Sequence, residues 1–237
     1  MPYFIRDNQQ RVDRLLGGGE KSANNTEKQR VQSRVSEIIK PRERAVYAAF
    51  EPFSPVLREQ LSKRRDKKNK LRLFDELLND ESFNLEYTAP NGYKTVVHPG
   101  HKTKDAHWLD TLEAAHALNK AKRDVIFLPE ADSYVCADAL TLFNGVPRIA
   151  DFKYCTSTKY NTLQKDLTDG FIQADTIVLK LESMDLGQFR NTIEYLKRNN
   201  LPVGNVILIN HYNEVIELER KVLTSDKYKK IIRGFLR

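Results

Sequence analysis

Hydrophobic residues recur along this chain with two different periods, and the change between them falls near Phe83. Ahead of it, Val35, Ile38, Ile39, Val46, Ala49, Leu57, Leu61, Leu71, Leu73, Phe74, Leu77 and Leu78 stand at mixed three- and four-residue spacing. That spacing predicts helices. Pro41, Pro52 and Pro55 break them into short ones, because proline lacks an amide hydrogen and clashes with the preceding turn. Residues 1–27, with Gly17-Gly18-Gly19 and "EKSANNTEKQ", offer little apolar surface to offset the entropy of ordering. They are expected to form a flexible lead, and residues 28–82 a small helical N-terminal region.

From Phe83 the period shifts toward two. "FNLEYTAPNGYKTVVHPG" alternates apolar and polar residues on both sides of Pro90-Asn91-Gly92, which predicts a hairpin. "DAHWLDTLEAAHALNKAKR" returns to helical spacing with Trp108, Leu112, Ala115 and Leu118 on one side, and "DVIFLP" reads as a short buried strand. "YVCADALTLF" and "PRIADFKYC" form a second strand pair across Asn144-Gly145, a dipeptide that accepts the positive φ of a tight turn. Beyond it the pattern predicts a helix over 159–174, a strand over 175–181, a helix over 185–199 and a strand over 203–210. The tail from Glu214 should add a short strand or helix and then a basic helix. Strands alternating with helices imply an α/β sandwich over residues 83–237, with a central mixed sheet flanked by helices.

The sequence of 237 residues carries 39 Lys+Arg against 32 Asp+Glu, a net charge of +7. A basic surface gains affinity for a phosphate backbone by releasing its counterions, so charge leans toward an anionic partner without identifying one. "KRRDKKNK" (63–70) concentrates six cations and is read first as a solvated face, second as a nucleic-acid or partner contact. The two cysteines, Cys136 and Cys155, exclude a disulfide-rich scaffold and a four-cysteine zinc site, and are read as reduced, buried thiols. No apolar run reaches the roughly 20 residues of a membrane span, and the N-terminus lacks a signal-peptide core. Action in a reducing, cytoplasmic compartment follows as the expectation.

The chemistry concentrates on the second strand pair. Asp151 and Lys153 are two apart on one strand and must project from the same sheet face, and the Asn144-Gly145 turn brings Asp138 on the other strand beside them. Paired carboxylates form a hard oxygen site for Mg²⁺ or Mn²⁺, a cation that polarises a phosphate and acidifies water, and an adjacent ammonium offsets developing negative charge. Two readings of the strand stand open: a half-solvated face with an ordinary Asp–Lys pair, which is the commoner arrangement, or charges facing a metal-binding cleft. Glu130 and Asp132, just ahead of this pair, form a further acidic candidate most at home in a surface loop. His98, His101, His107, His116 and His211 lack zinc-site spacing, and His98-Pro-Gly-His101 reads as a loop that could also help line a cleft.

Asp138, the Asn144-Gly145 turn and Asp151-Phe152-Lys153 resemble the motif of PD-(D/E)XK nucleases, with Ala137 in place of the motif's proline. With "APNGYKTVVHP", the helix bearing Glu113, the strand ending in "LPE", "NGVPRIADFKY" and "GFIQADTIVLKL", residues 83–237 resemble the C-terminal nuclease domain of contact-dependent growth inhibition toxins, several of which cleave tRNA. The resemblance implies a PD-(D/E)XK-like sandwich and a metal-dependent nuclease with RNA, tRNA in particular, as substrate and DNA as the close rival. It makes Glu113, Asp138 and Asp151 the ligands of Mg²⁺ or Mn²⁺, Lys153 the catalytic lysine and Gln173 a further residue of the cleft. Thr156, Ser157, Lys159 and Lys165, beyond the catalytic strand, are candidates to grip the nucleic-acid backbone. An immunity protein as partner and delivery by a larger secreted or phage-associated system are implied as well. A different class stays open, a non-catalytic nucleic-acid or partner-binding module that uses the N-terminal helices for docking.

Overall fold

A computed structural model describes residues 57, 60–63, 66–103, 107–130, 137–156, 160–182 and 186–236. The expected flexible lead and the proline-broken helices before Leu57 lie outside the described residues. Their C-terminal continuation is described: a helical turn at 60–63 and then α1 (Lys67–Leu78), whose first turn is capped by Asp66 accepting from the Asn69 amide at 2.8 Å.

The chain continues as β1 (Asn84–Thr88), β2 (Lys94–Val97), α2 (Trp108–Lys120), β3 (Val125–Phe127), β4 (Ala139–Phe143), β5 (Val146–Cys155), α3 (Tyr160–Gln173), β6 (Thr176–Leu181), α4 (Leu186–Arg198), β7 (Asn205–Ile209), β8 (Val215–Leu218), α5 (Arg220–Leu223) and α6 (Lys227–Arg233). The eight strands form one sheet in chain order. Pairing is antiparallel across β1–β2, β3–β4, β4–β5 and β7–β8, and parallel across β2–β3, β5–β6 and β6–β7. Each parallel step has a helix between its strands, as a crossover requires. The expected mixed sheet flanked by helices is the one observed.

Alternation along the central strands divides the core. Val178, Phe152, Ala150, Ala139 and Phe127 pack beneath α2, with Ala115 and Leu118 pressed onto them. Ile177, Leu179, Leu181 and Leu208 face the other way and bury Leu163 and Leu167 of α3, Phe189 and Ile193 of α4, and Tyr228 of α6. On that second side, Ile149, Leu140 and Ile126 are covered by Leu73, Phe74 and Leu78 of α1. The strands β6 and β7 are buried almost throughout, which is why they read as unbroken apolar runs rather than alternating ones.

Candidate active site

The tight turn predicted at Asn144-Gly145 forms with φ of 49° and 65°, the paired positive values that match the twist of two flanking strands. It sets a register in which Ala139 faces Ala150. Asp138 therefore stands beside Asp151, one step ahead of β4 rather than within it. From Asp151 to Cys155, β5 keeps its partner β6 but has run past the start of β4. The Phe152 amide, left on that open side, donates instead to Asp138 Oδ2 at 2.7 Å. One hydrogen bond thus satisfies an orphaned strand donor and fixes a carboxylate at the mouth where β4 and β5 part.

Asp151 and Lys153 do share a face, the one covered by α3. Lys153 Nζ lies 2.9 Å from Asp151 Oδ2. Asp151 is wholly buried, and among the described residues only the Lys153 ammonium and the Asp138 carboxyl reach its oxygens. Gly170 of α3 makes this possible. A Cβ there would stand 2.8 Å from Asp151 Oδ2 and 2.8 Å from Ile177 Cδ1, so only glycine lets the helix close over the carboxylate without displacing it.

Burial raises the Asp138 carboxyl well above its ordinary range, and the neighbouring Asp151 charge raises it further. Asp151 is raised by burial too, while the Lys153 ammonium and a hydrogen bond with Asp138 pull it back. Burial would lower Lys153, but Asp151 and then Asp138 overturn that and hold its ammonium above the usual value. Both carboxyls are thus pushed toward the protonated form, Asp138 chiefly by burial and by Asp151, while the Lys153 ammonium is held charged between them. More carboxylates surround them. Asp166 and Asp169 of α3 add negative potential, Asp166 at Lys153 and Asp169 at Asp151, and Glu130 adds its charge at Asp138.

The structure does not bring Glu113 to this site. Glu113 lies on α2, across the sheet, and is ion-paired with Lys180, whose ammonium also sits 5.4 Å from the centre of the Tyr154 ring. Lys180 follows Val178 by two on β6 and so belongs to the α2 side, opposite Asp151. The acidic side chain on the Asp138 side is Glu130, held by His101 at 3.1 Å and Lys102 at 3.5 Å. Asp132 lies outside the described residues. His98 is buried and pushed down to about 4, chiefly by burial, and its Nδ1 accepts from the Gly100 amide at 3.0 Å, which makes that histidine a loop-packing group.

Gln173 ends α3, one turn beyond Gly170 and on the same helix face. Thr156 is exposed just past β5, and Lys165 is exposed on α3 beside Asp166, while Ser157 and Lys159 lie outside the described residues. Asp166, Asp169 and Gly170 were not singled out from the sequence. Their i, i+3, i+4 spacing on the helix after the motif was the available signal.

A hard divalent cation calls for carboxylate, carbonyl and water oxygens. Asp138 and Asp151 fit that need, two buried carboxyls side by side with a single ammonium, Lys153, between them and neutrality. No group of three His, Cys, Asp or Glu side chains among the described residues is arranged to hold a metal.

No family model matches the chain, and no curated protein matches it. Among solved structures, the CdiA-CT/CdiI toxin and immunity complex from Burkholderia pseudomallei is similar at 15% identity and a TM-score of 0.38, over 56% of this chain and 94% of that one. Among the described residues, no helix is long and apolar enough to cross a membrane.

Proposed function

We propose that the chain hydrolyses phosphodiester bonds of nucleic acid, with Asp138 and Asp151 holding Mg²⁺ or Mn²⁺ and Lys153 beside them. The observation that carries this reading is the buried Asp151 carboxylate, held by the Lys153 ammonium and set directly against a second carboxyl, Asp138. Two buried carboxyls sharing one ammonium are costly in a purely structural role. A divalent cation bound there would supply Lewis acidity toward a phosphoryl oxygen and acidify water.

The remaining work falls to the chain's own groups. Asp151, fixed between β5 and Gly170, gives a ligand oxygen with no freedom to turn away. Asp138, held by the Phe152 amide, would have to lose its proton to solvent to serve as a ligand. Lys153 stays charged and can offset the negative charge that builds on the phosphate as the bond breaks. RNA, and tRNA in particular, is the preferred substrate on the strength of the sequence resemblance, with a DNA endonuclease of the same fold as the rival. The same resemblance supports a cytoplasmic site of action, an immunity protein as partner and delivery by a larger system.

Purified protein incubated with tRNA and with plasmid DNA, each in Mg²⁺, Mn²⁺ and EDTA, tests the reading. Metal-dependent cleavage is expected, and the substrate cut names the class. Absence of cleavage of both substrates in either metal would overturn it and leave a nucleic-acid or partner-binding module.

A further inference from the structure

The strands β5, β6 and β7 run parallel, so their C-terminal ends open on one edge of the sheet. Asp151 and Lys153 lie in the last half of β5, toward that edge. At the end of β7 the chain turns back into β8 through Asn210, His211, Tyr212 and Asn213. The register runs from Lys153 through Leu179 to Leu208, three residues before His211. Two strand spacings and three residues of rise put this turn on the order of 14 Å from Lys153 along the sheet.

The turn carries two aromatic rings on a braced backbone. Tyr212 is 69% exposed and His211 is exposed as well, and their ring centres lie 3.8 Å apart with 44° between the planes. Asn210, which starts the turn, is buried, and its side chain is fully engaged. Its Oδ1 accepts from the amides of Tyr212 and Glu214 at 3.0 Å each, and its Nδ2 donates to Glu214 Oε2 at 2.8 Å and to the Phe235 carbonyl at 3.0 Å. Asn213, at a φ of 61°, closes the turn, with its amide donating to the Asn210 carbonyl at 2.9 Å. The bond to Phe235 also ties the turn to the segment just after α6, whose last residue, Arg233, is exposed. A lone exposed tyrosine on a protein surface needs no explanation. Two rings in contact, held by a buried asparagine and tied to a segment that bears a cation, match a platform on which a nucleobase stacks.

Every nucleobase has a π-face, so aromatic side chains hold unpaired bases by stacking whatever the sequence, and a neighbouring arginine adds attraction for the backbone. A preformed platform loses little freedom on binding. We propose that His211 and Tyr212 stack an unpaired base of the nucleic-acid strand a few nucleotides from the phosphodiester presented to Asp138, Asp151 and Lys153, with Arg233 at an adjoining backbone phosphate. This rests on the nuclease reading and narrows its substrate to a strand with unpaired bases rather than a closed duplex.

The test measures binding apart from cleavage, as fluorescence anisotropy in EDTA of labelled single-stranded RNA and DNA oligonucleotides, their duplexes and a single strand of abasic sites, over a range of salt concentrations. Wild type is expected to bind single strands more tightly than duplexes. Tyr212→Ala should weaken single-strand binding about tenfold at an unchanged salt slope, and Tyr212→Trp should restore it. Arg233→Ala should instead lower the slope of log affinity against log salt by about one. 2-Aminopurine placed at successive positions of the strand should be quenched by wild type and not by Tyr212→Ala, a signal that a merely structural role would not move. Tyr212 is exposed, so its replacement should leave the fold intact, and thermal melting checks that. A folded Tyr212→Ala variant with wild-type affinity and quenching would overturn the proposal and leave the turn to a protein partner. An equal loss on the abasic strand, or a wild-type chain that binds no oligonucleotide, would overturn it too. Single-strand binding that depends on Tyr212 in a protein that cleaves nothing in Mg²⁺ or Mn²⁺ would keep the platform and remove the nuclease. Cleavage lost on Lys153→Ala with binding indifferent to Tyr212 would do the reverse.

Discussion

Each face of the central sheet holds a lysine–carboxylate pair, and the two are built in opposite senses. Under α2 the cation is inside: Lys180 is 1% exposed, its partner Glu113 is 48% exposed, and Tyr154 covers the ammonium. Under α3 the anion is inside: Asp151 is 0% exposed and its partner Lys153 is 22% exposed. The first pair is closed, because a buried ammonium finds its carboxylate and an aromatic face in one place. The second has further carboxyls about it: Asp138, Asp166 and Asp169 act on the two residues of the pair, and Glu130 acts on Asp138. Under the proposed function, a buried pair with further carboxyls about it would take up a cation from outside, and a closed pair would not. Sequence alone made Glu113 part of the same site. The sheet separates the two.

Mutating the α3 side should have the largest effect. Asp151→Ala and Lys153→Ala are each expected to lower metal-dependent cleavage by on the order of 10²–10⁴ while the protein still folds, read as initial rates on the preferred substrate beside thermal melts. If Lys153→Ala retained wild-type rates, the asymmetry between the two pairs would have no functional content.

Gly170→Ala comes next. Its Cβ would collide with Asp151 and Ile177, so the variant should lose about 1–3 kcal/mol in denaturant unfolding and bind metal more weakly. A loss of stability with wild-type metal affinity would mean that Ile177 rather than Asp151 yields.

Glu113→Ala separates the faces directly. It strips a buried ammonium of its partner, but Glu113 is half exposed and water can take its place, so about 1–2 kcal/mol of stability should go. Cleavage at a temperature where the variant is folded should stay within about threefold of wild type. Loss of activity on the scale of Asp151→Ala would return Glu113 to the metal site and contradict the placement described here.

The smallest effect is on pH dependence. Burial and Asp151 hold the Asp138 pKa well above its unfolded value of 3.8, so the folded chain keeps a proton that the unfolded chain releases. In the metal-free protein this contribution to stability is complete below the unfolded value and is lost as pH rises through the folded one. Asp138→Asn should flatten the fall, and Mg²⁺ should oppose it at neutral pH by displacing the proton. Melting curves from acid to neutral pH, with and without Mg²⁺, would show both. A metal-free protein that grows more stable over that range would reverse the assigned direction.

Local patterns made the scaffold legible. The turn at Asn144-Gly145 needs only two residues that tolerate positive φ, and it brought Asp138 to Asp151 as expected. The helix–strand alternation from Tyr160 to Ile209 was equally readable, because buried parallel strands are short apolar runs bounded by amphipathic helices. Less legible was the surrounding of the site. Asp166 and Asp169 were not singled out from the sequence, and nothing in the one-dimensional pattern said that α3 turns that face to Lys153. Gly170 was not singled out either, and its use appears only when Asp151 is seen 2.8 Å from its missing Cβ.

The sequence by itself determined which residues alternate, where the chain turns and, through a spacing of two, that Asp151 and Lys153 share a face, since these follow from backbone geometry over a few residues. Tertiary structure alone decided which face that is, that Glu113 stands across the sheet with Lys180, and that α3 closes over Asp151 at Gly170. Those outcomes depend on how helices distant in sequence pack onto the sheet, and the energy that selects them comes from burying Leu163, Leu167, Ala115 and Leu118 against strands they do not adjoin in the chain.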